Sequence, residues 1–134
     1  MSFNLNFQKK HTYNSLEIGI TIDALLRHGS SEVTCLAKVD SGSEFCLFER
    51  GVAEAIGIDV ESGHNRLFST LTGNFTAFGH ELELETLGLR LQSFVYFPET
   101  DSIRRNLLGR QGWLQLVKLA LIDYDSALYL SPHS

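Results

Sequence analysis

Surplus positive charge is missing from this chain. Eleven Lys and Arg stand against sixteen Asp and Glu, a formal net charge of −5. A nucleic-acid-binding domain that works through a general basic surface is therefore not expected. Long apolar runs are missing too. The longest stretch without Asp, Glu, Lys or Arg, Leu67 to His80, is rich in Ser, Thr and Gly, whereas a bilayer span takes about 18 or more apolar residues. No membrane partner is implied. The opening MSFNLNFQKKH alternates polar and apolar residues and lacks the apolar centre of a secretory signal. A cytoplasmic location is expected, although a chain trimmed of its leader would read the same way.

Cysteine is scarce. Cys35 and Cys46 lie too far apart for a Cys-x-x-Cys redox or zinc pair, and cytosolic thiols usually stay reduced. Cys35 shares the parity of Val33, Ala37 and Val39, which suggests a thiol packed in a core. The five histidines show no metal-ligand spacing, so no metal is implied. Walker, Gly-x-Gly-x-x-Gly, His-Glu-x-x-His and Gly-x-Ser-x-Gly motifs are all absent. Asn74-Phe75-Thr76 fits a glycosylation sequon but stands without a leader. Glu81, Glu83 and Glu85 alternate, which assigns them to one solvated strand face and not to a catalytic cluster.

What is present fits one domain over residues 1–134. The chain is 43% hydrophobic and 20% charged, the balance of a folded protein, with no repeat or low-complexity tract. Period two dominates, as in half-buried strands. Leu16, Ile18, Ile20 and Ile22 alternate with polar residues and glycine, His28-Gly29-Ser30-Ser31 turns, and Val33–Val39 forms a second strand. Asp40-Ser41-Gly42-Ser43 ends that strand sharply. Phe45–Phe48 is apolar, and Glu49–Ile56 reads as a short helix capped by Gly57. Leu67–Phe78 reads as a hairpin with Gly73-Asn74 at its tip. Further short strands follow at Glu81–Glu85, Leu89–Leu91, Phe94–Phe97 and Asn106–Leu108. A helix is expected over Arg110–Val117, and Leu119–Asp123 pairs with Ala127–Leu130. Many short strands with one or two small helices predict a mostly β, barrel-like domain.

Two segments carry the chemistry. Asp40-Ser41-Gly42 places a carboxylate where an apolar strand breaks, and Leu107-Leu108-Gly109-Arg110 lies well downstream, beyond the hairpin. In this order they resemble the retropepsins, the single-lobe aspartic proteases of retroviruses and their cellular and bacterial relatives. Asp40-Ser41-Gly42 resembles the catalytic loop, and Leu107-Leu108-Gly109-Arg110 the apolar-apolar-Gly-Arg segment behind it. Leu71-Thr72-Gly73-Asn74-Phe75 falls where the family carries its flap. The resemblance runs from about Leu16 to Leu130. It implies a closed barrel of the acid-protease fold, one lobe per chain.

The resemblance also implies roles. Asp40 takes the catalytic position, Ser41 the hydroxyl that knits two catalytic loops together, and Gly42 the approach to substrate backbone. Glu44 takes the acid that pairs with the Arg after the Gly, here Arg110. A partly buried pair is expected. Two carboxylates about 3 Å apart cannot both ionise cheaply and share one proton. The chain holds one Asp-Ser-Gly, so a homodimer supplies the second. The implied activity is an aspartic endopeptidase acting on an extended polypeptide, with no cofactor. The alternative is a dimerisation or peptide-binding module with little turnover. Lys38 departs from the family's usual apolar residue two before the Asp. It could select an acidic substrate side chain or hold the dyad ionised.

Overall fold

The computed structural model describes residues 1–133. Strand alternation sets the layers. On β2 (Thr21–His28), Ile22, Ala24 and Leu26 are buried, while Asp23 is exposed. A two-residue turn, Gly29-Ser30, leads into β3 (Ser31–Val39) with His28 paired to Ser31. Gly29 sits at φ +61, a region that glycine enters without steric cost. Along β3, Ala37 is buried, and Val33, Cys35 and Val39 pack against the core from the same side. After β4 (Cys46–Leu47) comes the helix α1 (Arg50–Ala55), shorter than expected by a residue at each end. It is closed by Gly57 at φ +74, whose N–H donates to the Glu54 carbonyl.

The remaining strands are β5 (His64–Thr70), β6 (Gly73–Thr86), β7 (Leu89–Pro98), β8 (Leu107–Leu108), β9 (Val117–Ile122) and β10 (Ala127–Pro132), and Lys9–Thr12 forms β1. Six of them close a barrel in the order β2-β3-β8-β4-β7-β6. The seam is the pairing of β2 with β6 at Leu25↔Glu85, Leu26↔Leu84 and Arg27↔Glu83. β5 extends β6 outward as a hairpin, and a separate sheet runs β1-β10-β9. Trp113, Phe48, Phe97, Ile22, Leu26, Leu84 and Leu108 fill the interior. The architecture is mostly β, with a closed six-stranded barrel.

Four expectations are corrected, and one strand is added. Leu16–Ile20 is not strand: the Leu16 N–H donates to Asn14 Oδ1 and the Glu17 N–H to the Asn14 carbonyl. That local turn competes with a ladder and leaves Leu16 and Ile18 exposed. Lys9–Thr12, unassigned in the sequence, pairs with β10, and His11 Nε2 lies 2.9 Å from the Thr21 carbonyl. The segments Leu89–Leu91 and Phe94–Phe97 are one continuous strand. Arg110–Val117 is not a helix. Gly112 takes φ +99 against the Phe94 carbonyl, and Trp113 turns into the core to donate to Thr86 Oγ1, leaving a 3-10 turn at Leu114–Leu116. Finally, Glu83 and Glu85 are not simply solvated. The β2–β6 seam brings Arg27 to within 2.7 and 2.8 Å of them. That hydrogen bond from Arg27 holds the Glu85 carboxyl below its ordinary range.

Candidate active site

The Asp40 loop is woven into the strand that lies beside it. Extended pairing continues past the end of β3: the Lys38 N–H donates to the Asn106 carbonyl and the Asp40 N–H to the Leu108 carbonyl, at 2.9 and 3.0 Å. The chain then folds into an Asx turn, in which the Gly42 N–H donates to Asp40 Oδ1 at 3.0 Å and the Ser43 N–H to the Asp40 carbonyl at 3.1 Å. A Cβ on Gly42 would sit 3.3 Å from that same oxygen, tight against the carboxylate. Past β8 the weave returns, with the Arg110 N–H donating to the Ser43 carbonyl and the Gln111 N–H to the Glu44 carbonyl. Gly109 is required at this crossing because a Cβ would lie 2.3 Å from the Phe45 carbonyl oxygen. The glycine of Leu-Leu-Gly-Arg thus has a steric cause.

The carboxylate of Asp40 is partly accessible, and Ser41 is exposed with no hydrogen bond from its hydroxyl among the described residues. Glu44 and Arg110 meet at 3.4 Å, and Glu44 also accepts from Gln111 Nε2 at 2.8 Å. About half of each side chain of the ion pair is exposed, 49% for Glu44 and 54% for Arg110. The expected partial burial is therefore not met among the described residues. Cys46 and Cys35 are free thiols, and burial pushes both up to about 11, so they stay protonated near neutrality. Among the described residues no three His, Cys, Asp or Glu side chains converge to hold a metal ion.

The hairpin tip lies two residues earlier than the Gly73-Asn74 expected. Thr70 pairs with Gly73, so Leu71 and Thr72 make the turn, and Gly73 opens β6. The Thr70 hydroxyl decides this by donating to the Gly73 carbonyl at 2.7 Å and accepting from the Thr72 N–H at 3.3 Å. Leu71, Thr72, Gly73 and Asn74 are exposed. Phe75 is half-buried and stacks on Phe68, with ring centroids 5.2 Å apart. Phe68 in turn meets Phe45 from the Asp40 loop at 5.8 Å and Tyr96 from β7 at 5.3 Å. The Arg66 guanidinium covers Phe45 at 4.5 Å, and its Nε donates to Tyr96 Oη. This aromatic cluster, which joins hairpin to loop, escaped the sequence reading. In the sequence Arg66 and Phe68 share one parity, as do Phe94 and Tyr96, but nothing there joins the two pairs. Lys38 is exposed at the end of β3, with its stem along Gly19.

A one-lobe barrel with a single Asp-Ser-Gly loop woven against β8 defines the retropepsin-like architecture. Among solved structures, this chain is similar to a retropepsin-like aspartic protease from Rickettsia conorii. The TM-score is 0.65 at 20% identity, over 92% of this chain and 97% of that one. It is also similar to EIAV protease complexed with the inhibitor HBY-793, with a TM-score of 0.56 at 15% identity, over 72% of this chain and 86% of that one. At such identities the likeness establishes the fold. No protein-family model matches the sequence, and no curated protein matches it.

Proposed function

We propose that the protein is an aspartic endopeptidase that works as a homodimer, with Asp40 of each subunit forming the reacting pair. The observation that carries this reading is a lone, partly accessible carboxylate on a loop locked by Asp40 N–H to Leu108 and Gly42 N–H to Asp40 Oδ1. The solved structures of this fold cited above are named as proteases, one of them as a retropepsin-like aspartic protease, which supports the reading. One carboxylate cannot both take a proton from water and give one to the scissile carbonyl. Two that share a proton can. The ionised Asp40 removes a proton from water as the water oxygen attacks the carbonyl carbon. The protonated Asp40 of the second subunit gives its proton to the carbonyl oxygen. Collapse of the tetrahedral diol breaks the C–N bond, the amine leaves with a proton, and a new carboxyl group remains.

The rest of the site has work in this scheme. Ser41, which has no partner within its own chain among the described residues, is free to bond the opposite loop. The exposed strand edges and the Leu71–Phe75 flap suit a peptide bound extended, by strand addition. Apolar side chains left uncovered, among them Leu16, Ile18, Leu121 and Ile122, offer surface to a second copy.

The test is digestion of a peptide library between about pH 3 and 7, with Asp40→Asn as control. We expect wild-type cleavage blocked by a statine-type inhibitor, and at least about a 10³-fold loss in Asp40→Asn with the dimer intact by ultracentrifugation. Cleavage retained in Asp40→Asn overturns the reading. Saturable peptide binding without cleavage by the wild type replaces it with a binding module.

A further inference from the structure

Ion pairing divides the cations of this chain unevenly. Of its eleven Lys and Arg, four (Arg27, Arg50, Arg90 and Arg110) are paired with carboxylates among the described residues. Three of the other seven line a single groove of about 340 Å³: Lys38, Arg104 and Arg105. The acids in its wall are Glu17 and Glu49. Neither forms an ion pair with these cations, and the Glu49 carboxylate instead accepts from Asn106 Nδ2 at 3.4 Å. The groove is thus net positive on a chain whose total charge is −5.

Its position relative to Asp40 follows from the backbone. Lys38 pairs with Leu107, and the alternation of hydrogen bonds to Asn106 and Leu108 carries the extended conformation through Asp40. Residues two apart on an extended chain project to the same side, about 7 Å apart. Lys38 and Asp40 therefore face the same way. The parallel pairing of β3 with β8 draws Arg104 and Arg105 to the same place, since they directly precede Asn106 and Leu107. The Lys38 stem is also steadied. It lies along Gly19, where a Cβ would stand 3.3 Å from Lys38 Cδ, and Gly19 holds φ +88.

We infer that Lys38, with Arg104 and Arg105, forms a subsite for an acidic side chain of the substrate, one or two residues from the scissile bond. This rests on the peptidase reading of Asp40 and adds the substrate class to it. An extended peptide advances about 3.3 Å per residue, so a Glu or Asp at that distance from the cleaved bond lies over Lys38. Among the described residues these cations form no ion pair, so a substrate carboxylate has no salt bridge to displace.

The experiment takes a peptide that the full-length protein cleaves and remakes it with Glu, Gln or Lys at each position within two residues of the bond. At one of these positions Glu should exceed Gln in kcat/KM by on the order of tenfold, mostly through KM, the sum of several weak surface attractions. High salt should erode the preference. Lys38→Met and Arg105→Met should each lower the Glu-to-Gln ratio, while Lys118→Met, at a cation on β9 outside the groove, should not. Equal cleavage of Glu and Gln peptides at every position overturns the inference, as does a ratio that survives both groove substitutions. If the wild type cleaves nothing, the peptidase reading fails separately. Affinities of labelled Glu and Gln peptides then decide the subsite: equal affinities overturn it, and a Glu preference lost in Lys38→Met upholds it.

Discussion

The Asp40 loop and the Leu71–Phe75 hairpin both border the candidate site, yet they are held by different forces. Backbone atoms hold the loop. Its N–H and carbonyl groups interlock with the segment from Asn106 to Gln111, and Gly109 passes the Phe45 carbonyl with no room for a methyl group. The hairpin past Phe68 is held by its own ladder, the Thr70 hydroxyl and one aromatic stack, and its tip residues are exposed. Backbone interlock tolerates no sliding, because each bond depends on the next. A stacked ring can separate from its partner and return. The comparison teaches that a carboxylate locked through the backbone stands beside a hairpin held mainly by its own ladder and side-chain stacking.

The largest effect should come from breaking the fixed half. Gly109→Ala would press a Cβ against three backbone atoms of Ser43 and Phe45, with a loss of about 3 kcal/mol. Gly73→Ala, in the hairpin, meets nothing within 4 Å and pays only for its φ of +137, about 1 kcal/mol. Urea unfolding of the two variants measures the contrast, and equal losses would erase it.

Phe68→Ala comes next. It removes a half-buried ring and its stack on Phe75, for about 1–2 kcal/mol. Amide exchange should quicken along the hairpin while the amides of Asp40 to Gln111 that join the two segments stay protected. Quickening in both would show that loop and hairpin open as one unit.

Arg110→Ala should matter least to the isolated chain. The pair with Glu44 is half exposed at 3.4 Å, and Gln111 still holds the carboxylate. A thermal or urea measurement should find a loss below about 1 kcal/mol. A larger loss that grows with protein concentration would mean that a second subunit covers the pair.

Much of this was legible in the residues themselves. Ile22, Ala24 and Leu26 alternate and are buried, Gly29 marks a tight turn, and Gly57 ends a helix, because strand parity and turn chemistry act between near neighbours. The candidate loop was legible for the same reason, since Asp-Ser-Gly is a local turn that carries its carboxylate with it. Other features depended on contacts that local pattern does not contain. Gly73-Asn74 looked like a hairpin tip, but the Thr70 hydroxyl and the register of β5 on β6 moved the turn to Leu71-Thr72. Arg110–Val117 had helical composition, but burial of Trp113 outweighed the weak helix preference of so short a segment. Glu44 and Arg110 were placed as partners by the resemblance to the retropepsins, while their exposure was decided by the packed molecule. The cluster of Phe45, Phe68 and Tyr96, and the groove of Lys38 with Arg104 and Arg105, join residues distant along the chain. Only closure of the barrel brings them together, because solvent exposure and side-chain proximity are properties of the packed molecule and not of any short stretch of it.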